Sequence, residues 1–405
     1  MRLRRKNSKL FMLLFLGTLS AFGPFVMDMY LPTLPEMTEY FSTSSSMVQL
    51  GLTTSMIGLA VGQLIFGPLS DRYGRRKPLI IAMTLFLFST IGCIYANTIS
   101  QFVAMRFLQG FAGAGGVVLS RSIASDKYSA MELATMLGLI GAINGIATVA
   151  APIAGGIAAS FGGWKGIFWC LMAIGAGLLA GSIRMREPLS GSKMKKNSKE
   201  AFLGGFREVL HNRRFLKYIL QYGLTMAIIF VNVASAPFIM QEHFGISQLM
   251  FSLVFGLNAV AMAVTTALAT RFRTMEKALT VSSDGMLALS IMICIALVSG
   301  CGFWLYEALL FLLLAMTGMA FTASNALAME SEQNNAGIAS ALLGTSGYVF
   351  GGIVPPIVGM GDMMVSAGIL FMVFGALACI CARAAVSGLD LKDVFSWFFR
   401  KKTAA

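Results

Sequence analysis

Asp28 lies in the stretch FVMDMYLPTLP, residues 25–35, just after the uncharged run 11–23. A carboxyl group held in an apolar, low-dielectric setting favours its neutral form, so it can take up and release protons near neutral pH. Arg106, in RFLQG at 106–110, stands about five residues into another apolar run. A charge inside a membrane costs at least about 2.5–3.5 kcal/mol, so this arginine needs a partner or water. If close to Asp28, it would favour the carboxylate and oppose the proton. Two plainer readings stand beside these: Asp28 as a cap or lip residue at an outer mouth, and Arg106 as a side chain snorkelling outward. Asp284 and Glu307 are the other acids placed within apolar runs, each near an end where it can reach an interface.

The elements that must position these residues are membrane helices. Of 405 residues, 57% are hydrophobic and 12% charged, about half the charge of a soluble domain. Apolar runs of about 20 residues, enough to cross the hydrocarbon core, fall at 11–31, 47–69, 78–97, 101–124, 134–158, 164–183, 215–240, 247–270, 278–300, 303–328, 336–358 and 364–386. The fold class read from this is an all-α membrane protein with twelve transmembrane helices. With the N-terminus inside, every Lys and Arg except Arg106 and Lys165 falls in or beside a cytoplasmic segment, which predicts both termini to be cytoplasmic. The net charge of +13 is then topology, with no nucleic-acid partner needed. The basic, apolar start resembles a signal peptide, but no A-x-A site follows and the apolar run continues to Leu31, so a retained first helix is expected.

Other chemistries find no footing. The six cysteines form no C-x-x-C, the two histidines stand apart, and no phosphate-binding G-x-x-x-x-G-K-[ST] is present. No metal, no cofactor and no enzyme are expected, since no nucleophile and base are paired.

The polar stretch 184–214, with nine basic residues, divides six runs from six. This predicts an N-terminal half at 1–183, a cytoplasmic linker at 184–214 and a C-terminal half at 215–405. Within the linker, AFLGGFREVLHN suggests a short helix on the inner surface. An offset near 204 residues aligns Asp28 with Asn232, Ser120 with Ser324, Ala124 with Ala328 and Pro152 with Pro356. Two six-helix halves repeated in parallel, with a substrate site between them, is a known transporter plan. Asn144, Tyr222, Asn232, Asn258 and Tyr348 are uncharged polar residues within runs and are candidates to line that site, or else to join helices by hydrogen bonds.

The loop GPLSDRYGRRKP at 67–78 fits G-x-x-x-D-R-x-G-R-R-K at every position. It resembles the signature loop of the major facilitator superfamily. The resemblance implies that Asp71, Arg72, Gly74, Arg75 and Arg76 form a cytoplasmic latch, with Asp71 paired to Arg75 and facing the helix start at 335–337. RFLQG resembles the R-x-x-x-G motif of proton antiporters in that superfamily, which implies a part for Arg106 in proton coupling. INGIATVAAPIAGG at 143–156 resembles the antiporter motif of the fifth helix; it keeps Pro152, Gly155 and Gly156 and carries Ala151 where glycine is usual. Proline and small residues there would bend and thin a helix where two helices slide. With DMYLPTLP before them, these motifs are similar to the bicyclomycin-resistance-like (Bcr/CflA) branch of twelve-helix drug–proton antiporters, over most of residues 20–190.

That resemblance implies a monomer in a bacterial cytoplasmic (inner) membrane that exports small amphipathic drugs in exchange for protons, by alternating access, with Asp28 and Arg106 coupling the proton. Two alternatives remain open: export of an endogenous metabolite such as an amino acid or small peptide, and a sensor or scaffold that no longer transports.

Overall fold

A computed structural model describes residues 9–128, 130–188, 207–332 and 336–387. Among them every regular element is helical: α1 (Lys9–Asp28), a 3₁₀ turn (Leu31–Thr33), α2 (Leu34–Tyr40), α3 (Ser45–Tyr73), α4 (Arg76–Ile94), α5 (Ile99–Lys127), α6 (Ala130–Arg184), α7 (Arg213–Phe238) with a π-turn (Ile239–His243), α8 (Gln248–Ala269), α9 (Met275–Val298), α10 (Phe303–Ser331), α11 (Ala336–Val358) and α12 (Met363–Ser387). The linker expected at 184–214 lies largely in residues 189–206, outside the described residues.

Helices are what a chain this apolar must form, because hydrocarbon offers no partner to an unpaired backbone group. The starts are capped by side chains the sequence supplies. Ser44 accepts from Met47 N, Thr98 from Gln101 N and Thr274 from Lys277 N, while Asn212 accepts from both Arg214 N and Phe215 N. Hydroxyls inside helices turn back on the preceding turn, as with Thr90 on the Phe86 carbonyl and Ser324 on that of Ala320. These two are thereby satisfied without water.

Ten helical segments among the described residues are long and apolar enough to cross a membrane. One of them, Leu139–Arg184, is 46 residues long. It contains a break at Gly162 and Gly163, the latter at φ +58°, which coincides with the loop expected between the runs 134–158 and 164–183. The expected run 336–358 is helical from end to end as α11, Ala336–Val358.

Lys9–Tyr40 forms one such segment of 32 residues. The helical segment does not end at Leu31 but bends at Met29–Thr33 and continues through α2, which carries Glu36 and Glu39. Asp28 therefore has twelve residues of the segment beyond it.

The chain forms two compact units. Unit 1 lies within Met1–Lys196 and includes Ile246–Gly256, and unit 2 comprises Asn197–Gly245 and Leu257–Ala405. In unit 1, α3 and α5 cross backbone to backbone. A Cβ on Gly58 would meet the Phe107 carbonyl, one on Gly62 the Phe111 carbonyl, and one on Gly110 the Ser55 carbonyl. Small residues allow this approach, which gains dispersion and weak polar contacts that lipid cannot match. The Gly-rich stretch 110–116 serves here, with Gly115 set against Ala82 of α4. In unit 2, Gly368 and Gly375 of α12 play the same part against Cys294 and Ser290 of α9. Gly110→Leu should therefore lower stability by at least about 1–3 kcal/mol, the cost of overpacking. Gly145→Leu, where a Cβ meets nothing, should not. Thermal unfolding of the purified variants in detergent checks the contrast.

Candidate functional site

Arg106 is fully buried in unit 1. It is held on α5 by a ring of partners from α1, α5 and α6. One terminal nitrogen donates to Gln109 Oε1 at 2.5 Å and the other to the Val26 carbonyl of α1 at 3.1 Å. Gln109 in turn donates to Thr90 Oγ1 of α4 at 2.8 Å. The guanidinium carbon stands 4.2 Å from the centre of the Tyr30 ring and 5.9 Å from that of Phe168. Phe102 and Trp164 close the aromatic cluster around that ring. Cation–π contact of this kind is worth about 2 kcal/mol or more when water is excluded. No carboxylate is paired with Arg106 among the described residues, so its charge is met by dipoles and ring faces alone.

Asp28 is partly buried at the end of α1. It lies two residues beyond the carbonyl that Arg106 holds. Its carboxyl group makes no hydrogen bond or ion pair with any described residue. The structure thus brings Arg106 to the backbone at Asp28 without an ion pair between their side chains.

The signature loop is built around Arg75, which is nearly buried. α3 ends at Gly74, whose φ of +85° suits glycine. Arg75 then reaches back to Asp71 Oδ1 and Ser70 Oγ on α3, at 2.6 and 2.5 Å, and across to Asp126 Oδ2 on α5 at 2.6 Å. Burial opposes the charge on Arg75, but the bonds from Asp126 and Asp71 outweigh it and hold the group above its ordinary pKa. Glu187, past the end of α6, accepts from the backbone N–H of Arg75 and of Arg76 at 2.8 and 2.9 Å. A carboxylate there meets the positive end of α4. Arg76 donates to the Ile183 carbonyl, and Arg72 stacks on Tyr73. The far side expected of the latch, 335–337, includes Asn335, outside the described residues, and side chains at 336–337 that are also not described.

Pro152, Gly155 and Gly156 lie in the first part of α6. A Cβ on Gly155 would overlap the Met29 carbonyl at the bend after Asp28, and one on Gly156 would overlap Ser252 Oγ of α8. Glu36 of α2 accepts from Trp164 N and, at 3.5 Å, from Gln248 Nε2. The glycine pair is thus a close-approach surface for the α1 bend and the first turns of α8.

The polar candidates fall in both units. Asn144 is partly exposed in unit 1. In unit 2, Tyr222 packs on Phe321, with ring centres 5.1 Å apart, and against Gly347, next to Tyr348. Asn232 is buried with its Oδ1 unbonded, and Asn258 lies beside Glu307. Asn232 is the twentieth residue of α7, as Asp28 is of α1. Asp284 is the tenth residue of α9, which begins at Met275. It accepts from Arg383 and Cys379 of α12 at 2.8 and 3.2 Å, a pair made across two helices.

Sequence reasoning missed Asp126, Ser70 and Glu187, which lie 51, 5 and 112 residues from Arg75, and also Gln109 and Thr90 around Arg106. Only Gln109 carried a signal, its i+3 spacing from Arg106 on one helix face. A groove of about 460 Å³ opens between Lys9, Leu13, Tyr128, Glu132 and Met136 at the start of α1, far along the helix from Asp28. Among the described residues no three His, Cys, Asp or Glu side chains cluster to hold a metal ion.

Many apolar helices joined by a short basic loop are the build of a multi-pass membrane protein. The model of the Major Facilitator Superfamily matches residues 13–356, and the chain belongs to that family. It is a transporter and not an enzyme. An uncharacterized MFS-type transporter of Bacillus subtilis, YdgK, is 37% identical over 354 residues, 86% of this chain and 88% of that protein. A bicyclomycin resistance protein homolog of Haemophilus influenzae is 29% identical over 91% of this chain and 94% of its own length. A chloramphenicol resistance protein of Pseudomonas aeruginosa is 31% identical over 59% and 56%. These relatives agree with the resemblance to the bicyclomycin-resistance-like branch. Among solved structures, a bacterial homolog of the lysosomal transporter Spinster aligns with TM-score 0.77 at 17% identity over 96% of this chain and 99% of that one. The nucleoside transporter NupG aligns with TM-score 0.72 at 15% identity over 93% and 98%. At those identities the likeness speaks for the fold.

Proposed function

We propose that this chain exports small amphipathic drugs across a bacterial cytoplasmic membrane in exchange for protons, with Asp28 carrying the proton. The observation that carries the reading is the Asp28 carboxyl group itself. It lies within the 32-residue helical segment Lys9–Tyr40 and makes no hydrogen bond or ion pair with any described residue, two residues past a carbonyl held by buried Arg106. A carboxylate fixed by a cation would keep its charge; one left unpaired beside an apolar surface is free to change it. The relatives named for bicyclomycin and chloramphenicol resistance support an amphipathic drug as cargo.

In this reading the chain has twelve spans in two six-helix halves, both termini inside, and works as a monomer. Outward-facing, Asp28 takes a proton from the medium as drug leaves. One half then rocks on the other, and the Asp71–Arg75 loop opens and closes the inner side. Drug entering from the cytoplasm or inner leaflet favours the unprotonated form, and the proton leaves inside. Asn232, the matching residue in the second half, has no charge to change, so a single carboxyl group carries this step. Asn144, Tyr222, Asn232, Asn258 and Tyr348 are the proposed lining of the cargo site.

The test is efflux from cells lacking their own drug pumps, loaded with dyes and with chloramphenicol- and bicyclomycin-type compounds. Export by wild type that a protonophore stops supports the reading. Export that survives the protonophore overturns proton coupling. If none of these compounds moves, the drug assignment falls and an endogenous amino acid or peptide becomes the cargo to test.

A further inference from the structure

Unit 2 holds a buried carboxyl group that the mechanism above does not use. Glu307 is the fifth residue of α10 and only 8% exposed, and neither carboxyl oxygen makes a hydrogen bond of ordinary geometry. Beside it, from α8, is the amide of Asn258, 2% exposed and likewise unbonded at both ends. The two helices are clamped further along by Thr266, whose hydroxyl donates to the Gly318 carbonyl at 3.0 Å. No lysine, arginine or histidine pairs with Glu307 among the described residues. The titratable groups on the elements around this end of α10 are Tyr306 and Cys301 on its own segment, Cys294 on α9, Glu242 and His243 after α7, and Asp362 before α12. Glu242, His243 and Asp362 border a separate groove of about 270 Å³. The Tyr306 ring lies against Phe244 at 5.8 Å, and its hydroxyl is unbonded.

A carboxylate buried without a cation is costly, and a glutamine would fill the same space without that cost. What glutamine cannot do is lose a proton. An amide is also the neutral neighbour that suits both states. Its Oδ1 can accept from the protonated carboxyl group, and after a flip its Nδ2–H can donate to the carboxylate. An arginine or lysine in that place would pin the charge.

We propose that Glu307 and Asn258 form a second proton-binding site, contained within unit 2 and separate from Asp28. The step is a plain acid–base exchange: the Glu307 carboxylate takes one proton to become the neutral acid and gives it back. The site stands on this cluster; only the use of its proton in transport rests on the proposed antiport.

Infrared difference spectroscopy on the purified full chain in lipid nanodiscs, stepped from acid to alkaline buffer, reads protonated carboxyl groups without any cargo. The wild type should lose more than one carboxyl component across the step. Glu307→Gln should remove one component, Asp28→Asn a different one. Asn258→Leu should shift the frequency of the Glu307 component, which keeps the test open should Glu307→Gln elute as an aggregate. A spectrum unchanged by both Glu307→Gln and Asn258→Leu overturns the proposal. So does a Glu307 component that disappears on adding sodium at constant pH, since the site would then take a metal cation. Because no cargo is present, the result is independent of whether the chain exports drugs.

Discussion

Asp28→Asn is expected to reach the membrane at the wild-type level and to export no more cargo than cells carrying an empty vector. Asparagine matches aspartate in shape, and Asn232 stands at the matching position of α7. The helix should therefore tolerate the change. What it removes is the ability to carry a proton, so cargo binding and proton binding can no longer exclude each other. Asp28→Glu should keep part of the activity, because the carboxyl group is retained but displaced by one methylene. Efflux at matched expression measures both. Wild-type export by Asp28→Asn would make Asp28 a structural residue at the end of α1 and send the proton site elsewhere, with Glu307 the next candidate.

Arg106→Lys is expected to fail although the charge is kept. The planar fork of the guanidinium reaches Gln109 and the Val26 carbonyl at once and lies 4.2 Å from the Tyr30 ring centre. A lysine ammonium is a point donor on a flexible stem and cannot serve all three. Each buried acceptor left unserved costs about 1–3 kcal/mol. The larger loss should be in transport, since the Val26 bond sets the end of α1 that presents Asp28. Arg106→Ala should lose both transport and stability, with a lower unfolding temperature in detergent. If Arg106→Lys transports and melts like wild type, the ring of partners around Arg106 has no role in holding Asp28.

The loop at 67–78 was legible in the sequence because its chemistry is local: Asp71 and Arg75 are four residues apart on either side of Gly74. The apolar runs were legible for the same reason, since each span is a property of contiguous residues. The break between the fifth and sixth runs fell where two adjacent glycines, Gly162 and Gly163, allow it. The depth of Asp28 was only half legible. Pro32 and Pro35 allowed a kinked continuation of the first helix but did not say where it would bend; the bend lies where the Met29 carbonyl approaches Gly155. What stayed hidden depends on which way helices face. Asp126 and Glu187 complete the Arg75 cluster from far along the chain, and Asp284 finds Arg383 at a separation of 99 residues. Spacing along one helix predicts neighbours on that helix, but says nothing of the side chain that a second helix brings opposite.

The central claim is that cargo and protons move in opposite directions through this chain. Proteoliposomes holding the purified protein, with an internal pH-sensitive dye, an imposed pH gradient and no ATP, test it most directly. Chloramphenicol or ethidium added on the side facing the cytoplasmic surface should speed the collapse of the gradient as cargo accumulates on the other side. Asp28→Asn should abolish both signals together. Cargo accumulation that proceeds equally with and without the gradient, and leaves the dye unchanged, would contradict the account.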